Sequence, residues 1–296
     1  MRMADAAARL ADDISIEMMP RAVAAMAAPP AGLPAGCSVY LPFLPGAAAP
    51  AQVAQTMAAV DRLRDWGFRP VPHLAARAVP GRGWLDAWLA ALSARGVDRL
   101  MLVGGDRDRP AGPYADVPAL LAGGALWRRG FMQLGVTGYP DGHPLVPPDA
   151  LQAALAAKLA YAAATGSRLW MVGQFAFEPA PVAAWLDAHA AMGHGLPVRI
   201  GLPGPSGMRT LLRFALQCGV AASARGLRRG PVRRLAGSWT PQAMADGLLA
   251  HCRARPDLPV AGLHLFPFGG VGQSLDWLTA WRAAEQMREA GAGGGS

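Results

Sequence analysis

Lysine is almost missing from this chain of 296 residues: Lys158 stands alone, and the rest of the 28 Lys+Arg is arginine. The formal net charge of +8 and a pI near 10.4 invite a nucleic-acid partner. Arginine scattered through alanine-rich segments is also what a G+C-rich coding sequence produces, so the bulk charge favours no particular partner. Only "ARGLRRGPVRR" concentrates charge, with Arg225, Arg228, Arg229, Arg233 and Arg234. That run reads either as a solvated basic face or as a contact for an anionic ligand, and no nucleic-acid motif accompanies it.

Cysteine is scarce as well. Cys37, Cys218 and Cys252 are odd in number and far apart, which excludes a disulfide framework and a Cys-based metal site and suits a reducing cytoplasm. No apolar run approaches the roughly 18–20 residues that a membrane span requires, because Arg, Asp, Gly or Pro breaks each one. "MRMADAAARLADD" carries acids and lacks a continuous apolar stretch, so no signal peptide is expected. What is abundant is apolar side chain, 52% of residues against 16% charged, enough for a large folded core.

Eight short apolar runs recur: "ISIEMM" (14–19), "SVYLPF" (38–43), "PVPHLA" (70–75), "RLMLVG" (99–104), "MQLGVTG" (132–138), "RLWMVGQ" (168–174), "VRIGLP" (198–203) and "GLHLFPF" (262–268). Most lack clean alternation, as parallel strands covered on both faces do. Helical patterns separate them. Val53, Met57 and Val60 share one helical face, and Trp84, Leu85, Trp88, Leu89 and Leu92 form a stripe closed by Gly96. "PDALQAALAAKLAYAAATG" has a strong helix-forming composition between Pro-Asp and Gly. The first helix, near 21–28, is short and interrupted by "PPAGLPAG", and 221–241 reads as an extended loop. The expectation is a single (β/α)8 TIM barrel over residues 1–290, with "GAGGGS" (291–296) as a flexible tail.

Active sites of such barrels lie at the C-terminal ends of the strands. Polar residues and glycines gather there: Glu17, His73, Gly104-Gly105-Asp106, Tyr139 to His143, and Gln174. Taken singly, each has a plain structural alternative. A strand-end Glu can cap a helix or pair with a cation, Asp106 can be an N-cap, His73 or Gln174 can be satisfied core groups, and "YPDGHP" can be a rigid loop.

In order along the chain, however, these motifs resemble the methylenetetrahydrofolate reductase family. "ISIEMMPR" is similar to that family's Phe-Glu-Phe-Phe-Pro-Pro, "PHLAAR" to its His-Leu-Thr/Ala, and "LVGGD" to its (Arg/Gly)-Gly-Asp. "GVTGYPDGHP" resembles Gly-Tyr-Pro-Glu-x-His-Pro, "VGQFAFE" resembles Thr-Gln-Phe-Phe-Phe-Asp, and "PVRIGLPGPSG" resembles Pro-Gly-Ile-Leu-Pro-Val. The match spans roughly residues 12–220. It implies an FAD-containing cytoplasmic oxidoreductase that interconverts 5,10-methylenetetrahydrofolate and 5-methyltetrahydrofolate using NAD(P)H. Glu17 would be the general acid that opens the folate ring, its pKa raised by apolar surroundings from Ile14, Ile16, Met18 and Met19. Asp106 would tune flavin and pterin. His73, Gly104, Gly105, Tyr139, His143 and Lys158 would contact FAD, and Gln174 and Phe177 the folate.

The resemblance weakens in places. Pro42 stands where the family has a flavin-contacting Thr, and Phe266 and Gly270 where it has a Tyr and a folate-binding Arg. Arg228 and Arg229 are the expected substitutes for the anionic folate tail. A flavin or folate enzyme running methyl-folate oxidation in a demethylation pathway, and a non-catalytic folate or flavin binder, are the alternatives. No metal, nucleic-acid or membrane partner is expected, and a homo-oligomer is left open.

Overall fold

The computed structural model describes residues 5–44, 46–217 and 238–293. Eight parallel strands close into a barrel: β1 (Ile14–Glu17), β2 (Ser38–Leu41), β3 (Arg69–Ala75), β4 (Arg99–Val103), β5 (Gln133–Gly138), β6 (Arg168–Gly173), β7 (Val198–Pro203) and β8 (Val260–Phe266). Neighbours in sequence are neighbours in the sheet, and β1 pairs with β8 to close the ring. The closing register sets Ile14 against Leu263, Ser15 against His264 and Ile16 against Leu265. A two-residue antiparallel pairing, Ser206–Gly207 with Ser238–Trp239, lies outside the ring.

Helices follow the strands. They are α1 (Ala6–Asp12), before β1, then α2 (Pro20–Ala25), α3 (Pro50–Asp65), α4 (Arg82–Ser93), α5 (Val117–Ala122), α6 (Ala125–Arg128), α7 (Pro148–Thr165), α8 (Pro179–Ala191), α9 (Met208–Gln217), α10 (Gln242–Ala254) and α11 (Val271–Gly293). Proline in the first turn starts α2, α3, α7 and α8, where its missing N–H costs nothing. Gly166, at φ 71°, ends α7 in the left-handed conformation that glycine adopts without strain. The last helix runs through Gly293, past residue 291 where the tail was expected to begin. Most of the expected 221–241 loop lies outside the described residues. No helix among the described residues is long and apolar enough to cross a membrane.

The strands' period of two divides the core. Ile14, Ile16, Val39, Leu74, Leu100, Leu102, Leu134, Val136, Leu263 and Leu265 face outward into one large cluster with the helices. Tyr40, Val71, Met101 and Val172 fill the barrel interior, with Val103 and Trp170 against them. Two glycines make room for the bulk inside. A Cβ on Gly135 would stand 2.7 Å from Met101 Sδ and 2.8 Å from the Trp170 ring. On Gly201 it would stand 2.2 Å from the Gly173 carbonyl oxygen and 2.9 Å from the Phe266 ring.

These contacts predict opposite signs for two glycine-to-alanine changes. Gly201→Ala pushes a methyl into backbone that cannot yield and should lower stability by about 1–3 kcal/mol, the cost of overpacking. Gly83→Ala, in α4 with open space around a Cβ, should raise it by about 0.4–1 kcal/mol. Urea denaturation measures both, and equal effects would contradict the packing described.

Candidate functional site

The alternation that sends Ile14 and Ile16 outward turns Ser15 and Glu17 into the barrel. The expectation of apolar surroundings for Glu17 is therefore corrected: Ile14, Ile16 and Met18 belong to the outer layer, and two imidazoles face the carboxylate. Glu17 Oε1 lies 3.6 Å from His73 Nε2 and 3.6 Å from His264 Nε2. Its side chain is 21% exposed, that of His73 11%, and that of His264 0%, so the carboxylate sits where the interior opens to solvent. At that distance the contacts are electrostatic, and both imidazole Nε2 atoms are buried without a hydrogen-bond partner.

Below this trio the barrel is packed and hydrogen-bonded. The Tyr40 ring meets His264 edge-on at 4.5 Å and His73 at 5.9 Å, and its hydroxyl accepts a 2.8 Å hydrogen bond from Trp170 Nε1. His264 Nδ1 is 2.9 Å from Ser15 Oγ. Arg199 donates to Ser15 Oγ at 3.4 Å and to Asp13 Oδ1 at 2.8 Å.

Burial is the largest single influence on each of these groups, though not always the deciding one. It acts to raise the Glu17 carboxyl, but the contact with His264 and the charges of His73 and His264 together outweigh it, so the carboxyl lies below its ordinary value and the raised pKa expected of it is corrected: imidazoles, not apolar side chains, face it. Burial pulls His73 down to about 4 against the opposing pull of Glu17. His264 is also lowered, by burial first and by Arg199, with Glu17 opposing. Burial pushes the Tyr40 hydroxyl up to about 12, so it stays a neutral phenol.

Beside the trio, the ends of β3 to β5 form a polar rim. Gly105, at φ 92°, occupies the left-handed region, and a Cβ there would lie 3.2 Å from Ala75 Cβ, whereas one on Gly104 would meet nothing within 4 Å. The Tyr139 and His143 rings meet edge-on at 4.9 Å. Burial raises the Tyr139 hydroxyl and lowers His143, and the nearby Asp106 carboxylate acts upward on both. His143 Nδ1 accepts the backbone N–H groups of Leu145 and Val146, which fixes its ring. Gln174 folds back so that its Oε1 accepts from the Phe175 N–H at 3.3 Å.

The ends of β6 and β8 carry an aromatic wall instead. Phe175 packs against Phe177, Phe266 and Phe268, and Phe214 of α9 stacks on Phe268 with ring centres 4.3 Å apart. Phe177 is buried and edge-on to Trp239. Lys158 is buried on α7, its ammonium lowered by burial and supported by Asp116 at the start of α5. Arg228 and Arg229 lie outside the described residues.

The structure thus joins Glu17 to His73, and Asp106 to Tyr139 and His143. Sequence reading missed His264, Ser15, Tyr40 and Arg199. The signal for His264 was present: in "LHLF" a histidine alternates with outward-facing leucines, on the strand that closes against β1.

No protein-family model matches the chain. Among solved structures, it is similar to the carboxyl transferase domain of Rhizobium etli pyruvate carboxylase with oxamate and biotin, at 9% identity and TM-score 0.49, covering 95% of this chain and 48% of that one. The complete multifunctional pyruvate carboxylase from Rhizobium etli gives 9% identity and TM-score 0.43 over 84% of this chain and 23% of that one. The chain spans about half the length of the first of these and less of the second. Nothing about its chemistry follows from either.

The buried imidazole gives a pH dependence of defined sign. His73 binds its proton near pH 4 when folded and near its ordinary 6.5 when unfolded. Stability is therefore full above 6.5 and falls as pH drops toward 4, because the unfolded chain takes up a proton that the folded one refuses. At about 1.4 kcal/mol per pKa unit, the loss is on the order of 3 kcal/mol. The His73→Gln variant should lose about one proton's worth of that slope in urea titrations run between pH 4 and 7. An unchanged slope would show that His73 is protonated in the folded barrel without penalty.

Proposed function

We propose that this chain is a flavin-dependent oxidoreductase that interconverts 5,10-methylenetetrahydrofolate and 5-methyltetrahydrofolate in the cytoplasm, with NAD(P)H as hydride donor and non-covalent FAD as cofactor. The observation that carries the reading is the Glu17 carboxylate at the barrel mouth, held between two imidazoles beside a glycine-lined polar rim. A barrel that needed only to bind a ligand has no use for a partly exposed acid facing two buried bases.

The residues present fit a flavin in three respects. His73 offers a buried nitrogen without a hydrogen-bond partner, Gly104 leaves open space at the rim, and Tyr139 with His143 supplies a fixed phenol–imidazole pair near Asp106. His73, Gly104, Gly105, Asp106, Tyr139, His143 and Lys158 would hold the cofactor. The chemistry a bound flavin supplies is hydride transfer between nicotinamide and folate.

What Glu17 does is move a proton. Given to a ring nitrogen of methylene-tetrahydrofolate, the proton lets the adjacent C–N bond break with its electrons going to nitrogen, which leaves an iminium carbon able to accept hydride. Gln174, an amide with both donor and acceptor, suits the edge of a pterin. Phe177 belongs to the aromatic wall on which a folate ring would rest. Arg228 and Arg229 remain the proposed contacts for the anionic tail.

Two measurements test the reading. The purified protein should bind FAD, released on denaturation and rebound on reconstitution, and NADH should bleach it without oxygen. Glu17→Gln should keep that bleaching while losing folate reduction by about 10²-fold or more, the usual scale of general acid catalysis. Absence of flavin binding would overturn the cofactor, and equal loss of both half-reactions would make Glu17 structural.

A further inference from the structure

Asp106 sits on the loop between β4 and α5, and residues 106–111 of that loop are exposed. An exposed carboxylate acts steadily on Tyr139 and His143 only if its loop is held in place. What holds it lies across the rim, in the single 3₁₀ turn Ala76–Ala78 that follows β3. The Arg77 backbone N–H donates to the Gly104 carbonyl oxygen at 3.0 Å, and the Arg77 carbonyl oxygen accepts from the Ala111 N–H at 2.8 Å. Close packing accompanies both bonds. A Cβ on Gly105 would lie 3.2 Å from Ala75 Cβ and 3.7 Å from Arg77 Cβ, and one on Gly112 would lie 2.5 Å from the Val79 carbonyl oxygen. The hydrogen bonds at the two ends are made by backbone and do not depend on the side chain at 77.

The middle of the loop is held differently. The Arg77 guanidinium reaches it through Nη2, which donates to the Asp108 carbonyl oxygen. In making that reach Arg77 buries its Nε–H without a hydrogen-bond partner, a loss of hydration that no bond at Nε returns. Arg107 Nε donates to the Arg109 carbonyl oxygen at 3.4 Å, a bond that ties the loop to itself. Asp106 therefore stands between a backbone tie at Gly104 and a side-chain tie at Asp108. Fixing the segment on both sides of Asp106 removes most of the backbone freedom that a single tie would leave it.

We propose that Arg77 is a positioning residue: its guanidinium, bonded to the Asp108 carbonyl oxygen, holds the Asp106 carboxylate beside the Tyr139–His143 pair. The use that a bound flavin makes of Asp106 rests on the oxidoreductase function proposed above; the placement of the carboxylate does not. His143 reports that placement with no cofactor present. Asp141 shares its loop, Tyr139 is kept neutral by burial, and the loop after β4 carries Asp106, Arg107, Asp108 and Arg109. Of these, the Asp106 carboxylate is the charge that raises the proton affinity of His143, against burial.

The test is an NMR pH titration of the His143 ring protons in full-length protein, with no flavin or folate added, the signals being assigned by their loss in His143→Gln. Asp106→Asn should lower the proton affinity of His143 by about threefold, the scale of one nearby unit charge in a water-exposed setting. Arg77→Met should lower it in the same direction, and adding Arg77→Met to Asp106→Asn should lower it no further. The sign separates positioning from a merely structural role. Loss of the positive charge of Arg77, or a loosening that admits water to the imidazole, would each raise the affinity. If Arg77→Met fails to fold, Arg77→Gln, whose shorter side chain falls short of Asp108, should give the same fall. A rise or no change in the folded variant overturns the proposal, as do additive effects in the double variant. So does an unchanged titration in Asp106→Asn, which needs no variant at residue 77. Failure to bind flavin would leave this result standing, so the two readings fail separately.

Discussion

A carboxylate turned into a closed barrel is the constraint around which this interior is arranged. An isolated ion there costs several kcal/mol after relaxation, so it needs partners at fixed positions. Closure of the ring provides one of them. Because β1 pairs with β8 so that Ser15 meets His264, the inward residue after Ser15 reaches the imidazole of the neighbouring strand. His73 arrives from β3, past β2, and Tyr40 of β2 fills the space between the two rings. Trp170 then holds the Tyr40 hydroxyl from across the barrel, and Gly135 leaves room for Trp170. A one-residue slip of β1 would turn Ser15 and Glu17 into the helical layer and bring Ile16 inside. The register that buries the isoleucines is therefore the one that places the acid.

The barrel was legible because its signal is redundant. Eight apolar runs separated by helical stripes allow few architectures, and an error of two residues at a strand end, as at 262–268 against Val260–Phe266, leaves the topology intact. The strand-end residues were legible for a related reason: a Glu, a His or a Gly-Gly-Asp closing an apolar run is conspicuous. Partnership between distant strands was not legible. Nothing local to "ISIE" says that its glutamate faces histidines from residues 73 and 264, since that depends on barrel closure and on which face is inside. The flanking Ile and Met were read as its environment because they adjoin it in sequence, yet in a strand sequence neighbours occupy opposite faces. Arg199 was hidden for the opposite reason: in an arginine-rich chain one more arginine carries no signal until its guanidinium is placed beside Ser15 and Asp13.

The mouth of the barrel is divided. From β3 to β5 it presents His73, the two glycines, Asp106, Tyr139 and His143; from β6 to β8 it presents Phe175, Phe177, Phe266 and Phe268, with Phe214 stacked behind. Polar groups specify by hydrogen-bond pattern, whereas an aromatic wall accepts any flat ring and specifies by shape. β1 lies between β2 and β8, so Glu17 stands near one junction of these halves. An acid placed there can reach a substrate whose ring lies against the aromatic side while a second reactant occupies the polar side. Phe266 belongs to the aromatic half through its contact with Phe175, and it brings bare ring edge-on to His264, the imidazole that faces Glu17. Glu17, His73 and His264 therefore sit where a hydrogen-bonding surface meets an aromatic one, and the register that closes the barrel places them there.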